Sequence, residues 1–115
     1  MDYQQIIIVG NVGREPEQLR FESGASATKL SVGVTASRDG NTLWFEVMCW
    51  DKLGAVAARA QRGERVLVVG TLAARSYLDK AGGPRFALSI NAREFRFLGR
   101  GSDVDDQAAS VDAPF

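Results

Sequence analysis

Short apolar or alternating runs, separated by glycine-rich turns and interrupted once by a helical pattern, run through the first hundred residues. That rhythm predicts a small all-β barrel with one helix rather than a layered α/β fold. Ile6-Ile7-Ile8-Val9 is apolar on both faces, so it predicts a strand covered on one side by the core and on the other by a second subunit or by the barrel itself. Gly10-Asn11-Val12-Gly13 then bends the chain. Leu30, Val32 and Val34 alternate with Ser31, Gly33 and Thr35, the period of a strand with one buried face. Asp39-Gly40 marks a tight turn, so the following strand returns as a hairpin.

The returning strand, Thr42 to Trp50, carries two unlike faces. Leu43, Phe45, Val47 and Cys49 make an apolar set expected in the core. Trp44, Glu46, Met48 and Trp50 face the other way, and a carboxylate among them implies a wet surface. Asp51 is the expected N-cap of a helix over Lys52–Gln61, with Leu53, Val56, Ala57 and Ala60 on its apolar face and Gly63 as terminator. Arg65 to Leu72 predicts an apolar strand, extended by Ala73 to Leu78 with Arg75 and Tyr77 on one face. After Gly82-Gly83-Pro84, strands over Phe86–Ala92 and Glu94–Leu98 complete a five-stranded barrel.

Length changes the picture little, since 115 residues suit one domain with one core. Charge changes it more. The formal total is zero, yet residues 1–100 hold fourteen basic against ten acidic side chains, and residues 101–115 hold Asp103, Asp105, Asp106 and Asp112 with no base. The reading is a domain over 1–99 with a basic surface, followed by an acidic tail over 100–115 too poor in large apolar residues to fold. No secretory or membrane-spanning pattern is present, which predicts a soluble cytoplasmic protein. Zero histidines and the single Cys49 argue against a disulfide framework, a metal site, a cofactor-bearing centre or an enzyme's usual bases and nucleophiles.

An ordered set of short segments resembles the bacterial single-stranded-DNA-binding proteins. It comprises Gly10-Asn11-Val12-Gly13-Arg14-Glu15-Pro16-Glu17, Leu19-Arg20-Phe21, Thr42-Leu43-Trp44, Trp50-Asp51-Lys52-Leu53, Gly70-Thr71-Leu72, Arg75-Ser76-Tyr77, Asp79 and Arg85-Phe86. The resemblance covers residues 1–98 and implies an OB-fold, a five-stranded Greek-key barrel, that associates as a homotetramer. It implies sequence-independent binding of single-stranded DNA in replication, recombination and repair, in a nucleoid-associated setting. Trp44, Trp50 and Tyr77 are the implied stacking residues, and Arg20, Lys52, Arg62, Arg75 and Arg85 the implied phosphate contacts. The tip Asp112-Ala113-Pro114-Phe115 resembles the family's docking site for replication and repair proteins, with fewer acids beside it and a shorter linker.

Three departures bear on strength of binding: a short loop after Thr35 with no aromatic residue, Glu46 between the two tryptophans, and Ala73 at a position that is often basic. They predict a smaller footprint or weaker binding than a typical member has. Glu46 and the short loop also favour the competing reading, an OB-fold protein-interaction module of a primosome or recombination system with weak nucleic-acid binding, whereas the paired tryptophans and the acidic tail disfavour it.

Overall fold

The computed structural model describes residues 1–35, 38 and 40–100. The strands are β1 (Ile6–Val12), β2 (Glu17–Arg20), β3 (Ser26–Thr35), β4 (Thr42–Trp50), β5 (Glu64–Leu78) and β6 (Pro84–Arg100), and the helix α1 (Asp51–Ala57) follows β4. β1 pairs with β5 along Ile6–Asn11, then changes partner and pairs with β3 at Asn11 and Val12. β2 continues alongside β3, opposite Ser26–Lys29. The strand expected over Ile6–Val9 thus continues to Val12, and its change of partner falls at Asn11, within the expected Gly10–Gly13 bend. With β3–β4, β4–β6 and β5–β6 pairings the ring closes as β1-β5-β6-β4-β3, all antiparallel except β4–β6. This is the strand ring of an OB-fold.

Closure brings backbones close enough that side chains must be absent at defined points. A Cβ added at Gly10 would lie 2.2 Å from the Gly33 carbonyl oxygen, and one at Gly70 would lie 2.1 Å from that of Asn91. Gly70 also marks a register shift. Val69 pairs with Glu94 and Gly70 with Ala92, leaving Arg93 as the extra residue of a bulge. That bulge is why the expected break between two final strands is instead one continuous β6: Arg93 interrupts the alternation without ending the strand.

Ile8, Val12, Leu30, Val32, Phe45, Val47, Cys49, Val66, Val68, Ile90 and Phe95 fill the interior. Leu43 departs from expectation. It is 58% exposed, because the β3–β4 hairpin runs past the barrel end and opposes Leu43 to Val34 near the turn. Ile7, on the outward face of β1, is 59% exposed, with no cover from the described residues.

The helix is shorter than Lys52–Gln61 and begins one residue earlier. Trp50 occupies the cap position, where its side chain makes no capping hydrogen bond to the helix, and Asp51 is the first helical residue with φ of 52°. That left-handed conformation, tolerated by a short polar side chain, turns the chain from strand to helix without a loop. Asp51 Oδ1 instead accepts from the Ser26 N–H at 3.4 Å. Leu53 packs on the core and Ala57 and Ala60 are buried, whereas Val56 is exposed. Gly54 lets the helix approach β4 closely, since a Cβ there would sit 2.6 Å from the Cys49 carbonyl oxygen, and its own carbonyl accepts from buried Thr28 Oγ1 at 2.7 Å. No helix among the described residues is long and apolar enough to cross a membrane.

Burial pushes the Cys49 thiol from 9.0 up to about 12. The folded chain keeps this proton at pH values where the unfolded chain releases it. The stabilisation is therefore complete below about pH 9 and is lost as pH rises toward 12. Urea unfolding between pH 8 and 11 is expected to show a downward slope of stability with pH that is reduced in Cys49→Ala, whatever the variant's absolute stability.

Candidate nucleic-acid interface

The outward face of β4 lies in the middle of one continuous sheet surface. Trp44, Glu46, Met48 and Trp50 stand opposite Gly33, Ser31, Lys29 and Ala27 of β3. On the other side, Glu46 and Met48 stand opposite Ser89 and Asn91 of β6, which in turn oppose Ala73 and Thr71 of β5. Two residues further along β5 come Arg75, opposite Ala87, and then Tyr77, opposite Arg85. Because paired residues share a face and alternate residues repeat it, Trp44, Trp50, Arg75, Tyr77 and Arg85 all face the same way.

Each aromatic has a distinct support. Trp44 is 54% exposed and lies on a backbone floor: a Cβ at Gly13 would come within 2.4 Å of its ring and one at Gly33 within 2.8 Å. Trp50 is 39% exposed and held from two directions. Its ring sits 5.4 Å from that of Phe21 at an interplanar tilt of 30°, and its Nε1–H donates to Asn91 Oδ1 at 3.2 Å. Tyr77 is 48% exposed, and Phe86 is more so. Trp44, Tyr77 and Phe86 line a groove of about 350 Å³ together with Arg14, Lys29 and Glu46. Such rings present flat faces to solvent that any planar group can stack on.

The charges are unevenly placed. Arg75 is exposed on the aromatic face. Arg85 shares that face, but its Nε donates to Asp79 Oδ2 at 3.1 Å. The Asp79 carboxyl is held below its usual range, first by the Gly83 N–H and then by Arg85. Part of the Arg85 charge is therefore already engaged. Arg20, Lys52 and Arg62 are exposed and line neither this groove nor the one on the far side of Trp44. Arg20 closes β2 opposite Ser26, Lys52 sits in the first turn of α1, and Arg62 precedes β5. Glu46 has Lys29 Nζ 3.9 Å away, so the negative charge between the tryptophans has a cation beside it. The four tail residues Asp112, Ala113, Pro114 and Phe115 lie outside the described residues.

Several groups at this surface were not singled out for these positions in the sequence. Phe21, just after β2, and Asn91 of β6 reach Trp50, while Arg14, between β1 and β2, and Lys29 of β3 line the groove. Arg14, Phe21 and Phe86 lie within the segments that carry the family resemblance, whereas Lys29 and Asn91 carry no such signal.

Residues 3–98 match the single-strand binding protein family. The chain belongs to that family. Among relatives, a single-stranded DNA-binding protein of Xanthomonas axonopodis pv. citri is 32% identical over 103 residues, covering 83% of this chain and 57% of that one. The Xylella fastidiosa protein of the same description is 30% identical over 107 residues, covering 86% and 65%, and the Thermus aquaticus one is 29% identical over 92 residues, covering 76% and 35%. The chain thus spans about six-tenths of the length of the xanthomonad relatives. In this member of the single-strand binding family, the glycine floor under Trp44 makes a specific prediction. In a Trp50→Phe background, where Trp44 is the remaining tryptophan, Gly13→Ala is expected to lift the indole and shift its emission, while the unfolding midpoint moves little. An unchanged spectrum would contradict the contact.

Proposed function

We propose that this chain binds single-stranded DNA without regard to sequence, stacking bases on Trp44, Trp50 and Tyr77 and drawing the phosphates along Arg75 and the neighbouring cations. The observation that carries this reading is the presence of three half-exposed aromatic side chains on one face of an OB-fold barrel, in a chain of the single-strand binding family. Stacking contributes roughly 1–3 kcal/mol per base on alanine substitution. Three such contacts approach the roughly 8 kcal/mol of a micromolar complex, before any gain from released counterions.

Phosphate contacts are sequence-blind, and so are stacked π faces, which suits coating of whatever strand is exposed in replication, recombination and repair. Of the basic residues, Arg75 fits this role best, Arg85 shares its charge with Asp79, and Arg20, Lys52 and Arg62 serve as outlying contacts along a longer path. The uncovered Ile7 on β1 supports association through that strand into the homotetramer the family resemblance implies. The Asp112–Phe115 tip is the proposed docking point for replication and repair proteins, and the nucleoid of the cytoplasm the proposed setting. Glu46, Ala73 and the short loop after Thr35 point to a smaller footprint than that of longer-looped members.

Titration with oligo-dT and with duplex DNA, followed by tryptophan emission at two salt concentrations, tests the reading. Quenching by dT alone and weaker binding at high salt are expected, and Trp44→Ala, Trp50→Ala and Tyr77→Ala are each expected to weaken binding by roughly 5- to 150-fold, the equivalent of one lost stack. Binding to duplex as tight as to dT, or no loss in any of the three variants, would overturn it.

A further inference from the structure

On the far side of Trp44 from Tyr77 and Phe86 lies a second groove of about 290 Å³, and among the described residues Trp44 is the one that lines both. Its lining includes Asn11, Thr35, Thr42 and Arg65. The groove exists because its floor is glycine. Side chains at Gly10 and Gly33 would collide with the facing strand and with the Trp44 ring, so backbone alone separates the indole from β1. Arg65 stands on β5 directly opposite Asn11 on β1, facing away from buried Val66, and its Nη1 donates to Asn11 Oδ1 at 3.1 Å. Thr35 and Thr42 share a hydroxyl–hydroxyl hydrogen bond at 2.6 Å in the same groove.

Arg65 is half-buried, and among the described residues no carboxylate lies within ion-pair distance of it. Asn11 can orient the guanidinium but cannot neutralise it. A partly desolvated guanidinium held by one hydrogen bond keeps further N–H donors for an anion, and its planar fork matches a phosphate. We infer that Arg65, oriented by Asn11, binds a backbone phosphate of single-stranded DNA and carries the strand past Trp44 into this second groove. Trp44 then acts as the step between two segments of the path, with a base on its exposed face and phosphates drawn to Arg65 on one side and toward Arg75 on the other. The inference rests on the proposed single-stranded DNA binding and adds to it a residue and a direction.

The test uses the full chain and oligo-dT at several salt concentrations, comparing wild type with Arg65→Gln, Arg65→Lys and, as a remote loss of the same charge, Arg59→Gln. A single-strand phosphate contact contributes roughly 0.7 to the slope of log affinity against log salt. Arg65→Gln is expected to lower the slope by about that amount and to weaken binding several-fold, while saturating quenching of tryptophan emission is retained. Arg65→Lys is expected to keep the slope, and Arg59→Gln to match wild type. Sedimentation and the unfolding midpoint, measured for each variant, register any change in assembly or folding. If wild type binds dT but Arg65→Gln leaves the slope unchanged, or lowers it no more than Arg59→Gln does, the role of Arg65 is refuted while the proposed function stands. A change of assembly state in Arg65→Gln at an unaltered slope would assign Arg65 to a subunit contact and refute it equally. Failure of wild type to bind dT would remove both.

Discussion

The close approach of backbones at Gly10 against Gly33, and at Gly70 against Asn91, is the constraint on which the rest of this structure depends. A five-stranded sheet can close only if its strands coil sharply, and at the points of sharpest approach a side chain would separate them. Closure at those points gives β1 two successive partners and sets β4 beside β6 in parallel. That pairing aligns the outward face of β4 with the outward face of the β5–β6 ribbon. The aromatic surface follows from barrel closure: Trp44 and Trp50 come from the strand before the helix and Tyr77 from a strand after it, and only the closed ring makes them neighbours.

Gly33 has a second consequence, which it shares with Gly13. Gly13 and Gly33 leave the Trp44 indole resting on backbone, and Phe21 and Asn91 fix the Trp50 indole through a ring contact and a hydrogen bond. A ring already held in one orientation loses little entropy when a base stacks on it. The electrostatics are less one-sided than the aromatics. Glu46 with Lys29, and Arg85 with Asp79, are exposed pairs of modest strength, and Glu15 and Glu17 line the groove beside Trp44 along with Arg14, which leaves Arg75 as the clearest uncommitted cation among the described residues of this face.

Much of this was legible in the chain because the informative signals were local. Alternation along Thr42–Trp50 separated Phe45, Val47 and Cys49 from Trp44, Glu46 and Trp50, and alternation along β5 placed Arg75 with Tyr77. Signals that depend on distant partners were not legible. Leu43 read as core because nothing local says that the hairpin outruns the barrel. Asp51 read as a cap because its positive φ comes from the junction between β4 and α1, and not from its own preference. The Arg93 bulge read as a strand break because an extra residue and an ending disturb the alternation alike. Phe21, Asn91 and Arg65 join the surface only through pairings that span from 29 to 54 residues of chain.

Whether the outward face of β4, β5 and β6 carries the DNA is decided by photo-cross-linking of the full chain to oligo-dT, with the modified peptides mapped by mass spectrometry. Cross-links concentrated in peptides containing Trp44, Trp50 or Tyr77, and competed away by unlabelled dT, are the predicted result. Cross-links confined to the opposite side of the barrel, at the helix or the exposed stretch around Ile7, would contradict it.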